Sequence, residues 1–341
     1  MELRKIYNDN STLVKAFAES RIGGRAENQD SYGWCDTKHG YVVTVCDGMG
    51  GGPGGKTASE IAVREILSSI KEADDQETKS NILIKAVRNA NMAVIDKASE
   101  VPALQGMGST ATVLLVNEDA AYIAHSGDSR VYQLRGHKKV FRTFDHSMVF
   151  EMVEQGVISE EQARLSAQSN VITKALGIKS DLEVSVVELP YERNDRFVLC
   201  SDGIHGSMPE KELIALLTDH KNTLGVVADN LCTHVDNLGR NAGGNHDNLT
   251  MAIVETKNNS KIKQPMSTKV KYMFIGMAIA LLVSLVLNIV ILIKHGNQTT
   301  ACDMVNNNDS LTVNVGKDTI NRDNAKTPET ETPKTDSISK K

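Results

Sequence analysis

Residues 41–55 read YVVTVCDGMGGGPGG, in which an apolar, β-branched run is followed by six glycines. The run predicts a buried β-strand over residues 41–46, with Asp47 at the point where strand gives way to loop. Glycine raises the conformational entropy lost on folding, so a cluster of this size indicates that the backbone must approach something closely. The stretch therefore predicts a strand end that carries a carboxylate beside a close-packed loop.

The rest of the folded part mixes strand and helix patterns. Six more runs are apolar and β-branched and are bounded by Gly, Asp or Asn, namely 110–116, 120–125, 131–134, 182–189, 196–200 and 250–255. Helical patterns lie at 58–70, at 83–94, near 147–155 and from Pro209 onward. Strands that follow one another through short connections predict antiparallel pairing. We expect an α+β sandwich rather than a doubly wound parallel sheet, in which strand and helix would alternate strictly.

Composition excludes several classes of protein. The 341 residues carry a net charge of -5, without the basic footprint that binding to a phosphate backbone requires, so no nucleic-acid partner is expected. The cysteines are odd in number, widely spaced and without a CxxC pair. They indicate reduced, buried, intracellular thiols rather than a disulfide framework or a zinc site.

One segment is typical of a membrane span. Residues 272–293 are apolar except for two polar side chains, and as a helix they would extend roughly 33 Å, enough to cross a bilayer. A buried core helix is the weaker alternative at this length. Five lysines precede the span in the basic linker 257–271, whereas one lysine follows closely, which predicts that the N-terminal domain is cytoplasmic. The start of the chain lacks a secretory signal, and the polar tail 294–341 is expected to be disordered and outside the cytoplasm.

Several aspartates stand where a strand is predicted to meet a turn. They are Asp47 before Gly48, Asp128 after Gly127, Asp202 before Gly203 and Asp247 before Asn248, and Asp30 closes the stretch GGRAENQD. Each pair alone is a common turn former. Together they favour a site for Mg²⁺ or Mn²⁺, because clustered carboxylates repel one another unless a cation lies among them.

Two such cations would polarise a phosphoryl group and lower the pKa of a shared water. Arg25, five residues before Asp30, offers a planar guanidinium that suits a phosphate monoester, although an ordinary surface arginine fits the sequence equally well. Cys46 and Cys200 end strand-like runs and lack the arginine-bearing loop that a cysteine-nucleophile phosphatase needs.

Eight ordered motifs carry a resemblance to a known family: RAENQD (25–30), VCDGMGG (45–51), GMGST (106–110), GDSR (127–130), DHS (145–147), NVITKALG (170–177), LCSDG (199–203) and DNLT (247–250). Over residues 10–256 the chain resembles the metal-dependent protein phosphatases, the type-2C serine/threonine phosphatases in their bacterial form. The resemblance implies a two-layer β-sandwich flanked by antiparallel helices, with a binuclear Mn²⁺ or Mg²⁺ site in a cleft.

The resemblance also implies roles for individual residues. Asp47 resembles the bridging ligand, Gly48 adds its carbonyl oxygen, and Asp202 and Asp247 resemble further ligands, so these aspartates would act through metal-activated water. Asp128 resembles part of a weaker third metal site, Asp30 would hold metal-bound water, and Arg25 would bind the substrate phosphate. Residues 145–180 resemble the flap beside the active site.

Two positions depart from the family pattern, since Gly52 and Lys56 replace the usual His and Glu, and neither position is a metal ligand. The leading hypothesis is a membrane-anchored phosphatase, with domain 1–256 acting on phosphoserine and phosphothreonine of cytoplasmic proteins, including substrates of a cognate kinase. The alternative is a catalytically weak receptor whose phosphatase-like domain only binds phosphoproteins.

Overall fold

The computed structural model describes residues 4–8, 11–50, 54–263 and 268–305. Gly52 lies outside the described residues, as do residues 306–341 of the tail. Contacts divide the chain into two compact units, Met1–Pro265 and Met266–Lys341.

The strands of the first unit, in chain order, are β1 (Arg4–Asn8), β2 (Val14–Arg21), β3 (Asp30–Thr37), β4 (Gly40–Met49), β5 (Gly108–Ser109), β6 (Ala111–Val116), β7 (Ala121–Ser126), β8 (Arg130–Arg135), β9 (Lys138–Arg142), β10 (Ser185–Leu189), β11 (Arg196–Cys200) and β12 (Leu249–Thr256). Its helices are α1 (Gly54–Glu72), α2 (Lys79–Glu100), α3 (Met148–Glu154), α4 (Glu160–Arg164), α5 (Asp202–His205), α6 (Glu210–Leu217) and α7 (Leu224–Asn241), with a 3-10 turn at Pro102–Leu104.

Two antiparallel sheets form the sandwich. The first has the order β1-β2-β12-β11-β8-β9 and the second the order β10-β7-β6-β4-β3, with β5 added to the end of β4. Side chains of both sheets meet in one apolar layer, which includes Val43 and Val45 of one sheet and Phe197, Leu199 and Val254 of the other. The α+β sandwich expected from the sequence is therefore confirmed.

Helices cover the outer face of each sheet. Residues of α1 and α2 pack on the second sheet in a cluster that contains Ile66, Ile70 and Leu83, as the helical patterns of the sequence predict. Helices α5, α6 and α7 cover the first sheet through residues such as Leu213, Leu231 and Val235. The result is a four-layer arrangement in which the two sheets are shielded from water on both outer faces.

The strand of the opening stretch is longer than predicted. Strand β4 continues through Asp47 and Gly48 to Met49, because Gly48 and Met49 pair with Ser109 and Gly108 of β5. Asp47 therefore lies within a strand rather than at its end, and its neighbour across the ladder is Asp30 of β3.

The basic linker begins differently from the prediction. Residues 257–262, here called the exit segment, are bonded to the sandwich rather than free of it. The Lys257 N–H donates to the carbonyl of Leu13 at 2.8 Å, and the Ser260 N–H donates to Tyr191 at 2.9 Å. The folded domain therefore extends beyond residue 256.

The second unit contains one long helix, α8 (Thr268–Val305). Within the described residues it holds one segment long and apolar enough to cross a membrane, Ile275–Ile293, of which none is buried in the structure. The helix continues past residue 293, so the first part of the tail is helical where the sequence predicted disorder. Exposure of this apolar segment argues against the alternative of a buried core helix.

Candidate active site

Asp30 and Asp47 form a cross-strand pair of carboxylates at one end of the second sheet. The Asp47 N–H donates to Thr110 Oγ1 at 2.9 Å, and the Thr110 N–H donates to the Asp47 carbonyl at 2.8 Å. Asp30 is buried, and its Oδ2 accepts from Ser201 Oγ at 2.8 Å. Backbone and side-chain bonds thus hold both carboxylates on rigid strands.

Gly48 needs to be glycine because two carbonyls crowd its α-carbon. A Cβ there would lie 2.0 Å from the carbonyl oxygen of Gly55 and 2.6 Å from that of Gln29. The Gly48 N–H donates to the Gln29 carbonyl at 3.2 Å. The close approach that the glycine cluster predicted is therefore found here, between β4 and the start of α1.

Asp202 and Asp247 come from neighbouring strands of the first sheet. Asp202 is the first residue of α5, directly after β11, and Asp247 precedes β12, which pairs with β11. A Cβ on Gly203 would lie 2.0 Å from the Asn248 carbonyl oxygen and 3.3 Å from Asp247 Cβ. The missing side chain of Gly203 lets the two aspartates approach each other.

Asp128 lies in the turn between β7 and β8, and its side chain is buried. His205 Nε2 donates to the Asp128 carbonyl at 2.9 Å, which ties this turn to α5. Burial, followed by the charge of Arg130, lowers the pKa of His205 well below its ordinary value, so this imidazole is neutral. His205 thus joins the turn of Asp128 to the helix of Asp202.

The carboxylates disfavour one another's charge. Burial, followed by the charges of Asp202 and Asp247, raises the pKa of Asp30 to about 7. Burial and the charge of Asp247 raise the pKa of Asp202 to about 6. Burial and neighbouring aspartates also raise the pKa values of Asp47 and Asp128 well above the ordinary range. These shifts show that the predicted carboxylates share one electrostatic environment.

The donor set of this cleft fits a hard cation. Its side-chain groups are carboxylates, and Oδ1 of Asp128 and Oδ1 of Asp202 are buried without a hydrogen-bond partner in the described part of the chain. A divalent cation would satisfy such oxygens and offset their repulsion. Among the residues that the structure describes, however, no group of three or more His, Cys, Asp or Glu side chains has ready-made metal-binding geometry.

Arg25 reaches the cleft, but it contacts a carboxylate there. Its Nη2 lies 2.8 Å from Asp247 Oδ2, and both side chains are partly exposed. The other oxygen of Asp247 accepts from the Asn248 N–H at 2.8 Å. The structure therefore pairs Arg25 with one of the predicted ligands, Asp247.

The segment 145–180 closes one side of the cleft. Within it, α3 and α4 share a small apolar cluster of Val149, Phe150 and Ala163. A cavity of about 300 Å³ separates this cluster from Arg25, Asp128, Asp202 and Asp247. Asp145 anchors the segment by a bidentate pair with buried Arg130, at 2.8 and 2.7 Å.

The cysteines near the cleft are not nucleophiles. Cys46 and Cys200 are fully buried, and burial raises the pKa of each thiol to about 12. A catalytic thiol requires a lowered pKa and access to substrate. The prediction of inert, buried thiols at these two positions is therefore confirmed.

Two residues of the site were missed by sequence reasoning. Asn248 accepts from the Gln29 N–H at 2.8 Å and donates to the carbonyls of Ile22 and Glu27, so it holds the loop that carries Arg25. The motif DNLT contains Asn248, and the side-chain amide beside Asp247 was a usable signal. His205 had no comparable signal, because its role depends on the packing of α5 against the turn of Asp128.

The sequence is similar to those of known protein phosphatases. A family model described as Protein phosphatase 2C matches residues 19–238. The serine/threonine phosphatase stp of Listeria monocytogenes is 35% identical over 235 residues, which make up 68% of this chain and 91% of that protein.

Solved structures of bacterial phosphatases share the fold. The crystal structure of serine/threonine phosphatase Stp1 from Staphylococcus aureus has a TM-score of 0.64 and 27% identity, covering 75% of this chain and 99% of that one. The catalytic domain of PstP in complex with two manganese ions has a TM-score of 0.60 and 27% identity, covering 72% of this chain and 99% of that one. With the cleft described above, these matches show that the chain belongs to the protein phosphatase 2C family and is a serine/threonine protein phosphatase.

Proposed function

We propose that this phosphatase depends on two divalent cations, Mn²⁺ or Mg²⁺, and on a third, weaker site. The residues that would hold them are Asp47, the carbonyl of Gly48, Asp202 and Asp247, with Asp30 acting through water and Asp128 at the third site. The observation that carries the proposal is the pair of buried, unpartnered oxygens on Asp128 and Asp202, counted within the described residues. The two manganese ions of the PstP structure support it.

The cation pair, when bound, lowers the pKa of a water towards neutrality and polarises the phosphoryl group. The protein's own residues supply position and charge. Asp30 and Asp47 lie on paired strands, and Asn248 bonds the loop of Arg25 to the start of β12. Arg25 would bind the substrate phosphate by exchanging Asp247 for it, because a guanidinium forms parallel hydrogen bonds to phosphate oxygens.

The proposed substrates are phosphoserine and phosphothreonine proteins of the cytoplasm, including those modified by a cognate kinase. We place the enzyme in the cell membrane as a single-pass protein, with the domain inside and the C-terminal tail outside. The exposed apolar segment Ile275–Ile293 supports the span, and the lysines that precede it support the orientation.

Metal dependence is tested with the full chain in detergent micelles and a phosphothreonine peptide. Activity should vanish on chelation and return with Mn²⁺ or Mg²⁺. Asp202→Asn should lower kcat by about 100-fold or more, because a neutral amide cannot balance the cations. Glu100→Gln, in an exposed pair on α2, is the matched control and should keep full activity. A rate that chelation leaves unchanged would overturn the metal mechanism.

Membrane anchoring is tested separately. The full chain should stay with the membrane fraction after alkaline carbonate washing, and a chain ending before residue 268 should not. A reporter fused after Lys341 should be active only outside the cytoplasm. Release of the full chain by carbonate contradicts the span, and a reporter active inside contradicts the orientation.

A further inference from the structure

A second cavity, larger than the catalytic cleft, lies at the opposite end of the first sheet. Its volume is about 680 Å³, and we call it the basic cavity. Its basic lining comes from four separate parts of the chain and consists of Lys15, Arg135, Arg193, Arg196, His220 and Lys221. Glu255 is the one carboxylate among the described lining residues.

Two of these basic side chains are neutralised by neighbours, and a third lies near a carboxylate. Arg135 pairs with Asp195 at 2.8 Å, and Arg196 pairs with Glu255 at 2.9 Å. His220 lies 4.0 Å from the same glutamate. These contacts fix the walls of the cavity, and they account for the acidic groups beside it, Asp195 just before β11 and Glu255 on β12.

Three cations have no such partner. In the described part of the chain, the side chains of Lys15, Arg193 and Lys221 make no hydrogen bond and no ion pair, and all three are exposed. Asp219 lies beside Lys221, since its Oδ1 accepts from the Lys221 N–H at 2.9 Å, but it does not pair with the Lys221 ammonium group. Three unpaired positive charges around one concave surface repel one another. An anion in the basic cavity would relieve that repulsion.

The backbone around the cavity is ordered by specific contacts. Asn194 has φ of 66°, in the left-handed region that Asn tolerates better than most residues. The Glu192 N–H donates to Asp195 Oδ2 at 2.9 Å, which closes the turn that presents Arg193. On the other wall, Thr223 caps the N-terminus of α7, an end that carries partial positive charge.

The basic cavity adjoins the place where the chain leaves the domain. The Arg193 N–H donates to Asn259 Oδ1 at 2.7 Å, and the Asn194 N–H donates to the Thr256 carbonyl at 2.9 Å. Both partners belong to the end of β12 or to the exit segment. Only residues 264–267 connect the described part of the domain to α8. The exit segment is thus the last part of the folded domain before the chain continues into α8, which holds the proposed membrane span.

The catalytic cleft is at the far end of the same strands. Strand β12 begins next to Asp247 and ends at Thr256, and β11 begins at Arg196 and ends before Asp202. Eight residues of β12 extend roughly 23 Å at the usual rise of a strand. The basic cavity and the cleft therefore face opposite directions along the sheet.

We propose that the basic cavity binds the phosphate group of an anionic lipid, so that the domain rests on the membrane with its catalytic cleft turned towards the cytoplasm. This proposal rests on the membrane anchoring proposed above. A lipid is favoured over a soluble anion because the cavity lies beside the exit segment. Each basic residue close to an anionic membrane strengthens binding about fivefold, so three cations form an effective contact.

The test compares the full chain reconstituted in vesicles of phosphatidylcholine alone and in vesicles that also contain phosphatidylglycerol. Hydrogen exchange is followed in the segments 193–196 and 220–224, which contain lining residues of the basic cavity. We expect slower exchange of both segments only in the vesicles with phosphatidylglycerol. Exchange in the catalytic cleft should be the same in both.

Paired variants separate local charge from net charge. Arg193→Glu with Lys221→Glu should reduce the protection by more than about 25-fold, because each lost positive charge removes a fivefold contribution and each new negative charge adds repulsion. Lys71→Glu with Lys211→Glu changes the net charge equally at exposed positions outside the basic cavity, and it should leave the protection unchanged. Peptide hydrolysis should be normal in both, since none of these residues lies in the cleft.

Different results would overturn different parts of the proposal. Protection equal in the two kinds of vesicle, or protection that survives the Arg193 and Lys221 substitutions, would overturn the lipid site while anchoring stands. Protection produced by inorganic phosphate in phosphatidylcholine vesicles would assign the cavity to a soluble anion instead. Loss of the full chain from carbonate-washed vesicles would refute the anchoring itself, and the lipid site with it.

Discussion

Gly203 lies where the turn after Asp202 passes close to Asp247 and Asn248, so it separates two proposed metal ligands. An alanine Cβ there would lie 2.0 Å from the Asn248 carbonyl oxygen, whereas ordinary contact begins at 3.4 Å. Gly203→Ala must therefore move the first turn of α5 away from the start of β12 by about 1.4 Å. A misplacement of about 1 Å can cost a factor of about 100 in rate, so kcat/KM should fall about 100-fold.

The Gly203→Ala variant should remain folded although it loses most of its activity. Overpacking of this kind costs about 1–3 kcal/mol, which leaves the domain folded. The assay measures kcat/KM for a phosphothreonine peptide with Mn²⁺ on the full chain in micelles. Urea unfolding is followed through Trp34, the single tryptophan of the chain.

Gly136→Ala is the matched control. Gly136 has φ of 55° and open space around its Cβ position, so alanine costs about 1–2 kcal/mol of backbone strain without moving the cleft. We expect this variant to lose stability and keep its activity. If Gly203→Ala stayed within about threefold of the wild-type kcat/KM, the close approach at Gly203 would not matter for catalysis. An equal loss of activity in both variants would attribute the effect to instability.

Two further predictions concern the segment 145–180. Asp145→Asn leaves the Arg130 charge buried without its bidentate partner, so the free energy of unfolding should fall by about 3 kcal/mol, against about 0.5 kcal/mol or less for Glu100→Gln. A loss below about 1 kcal/mol for Asp145→Asn would contradict this account. Burial, followed by the charge of His125, lowers the pKa of His146 to about 4 from 6.5, so the fold keeps this imidazole neutral where the unfolded chain binds a proton. Between about pH 6.5 and 4, urea titrations should therefore show the wild type losing stability relative to a His146→Gln variant, in which the cleft aspartates titrate as before, and a variant with the wild-type pH dependence would refute that assignment.

Local sequence was sufficient for the strands and helices with strong apolar patterns. The runs that form β4, β6, β7 and β11 are largely apolar on both faces because the sandwich and the helices bury both faces. Strands β2 and β3 were missed because charged and small residues interrupt them. Helix α7 was missed because Gly, Asn and Thr weaken its helix propensity, and packing against the first sheet stabilises it instead.

The sequence by itself determined the chemistry of this protein. Aspartates beside glycines were enough to indicate oxygen ligands, eight ordered motifs indicated a phosphatase family, and the apolar run 272–293 indicated the span. Tertiary structure alone decided which carboxylates face each other, that Arg25 pairs with Asp247, and that unpaired cations of distant segments surround one cavity. The physical reason is that strand pairing is non-local. Asp30 pairs with Asp47 across two strands, and Lys15 lines the same cavity as Arg193 and Lys221. Sheet order and register bring these residues together, and no short stretch of sequence specifies either.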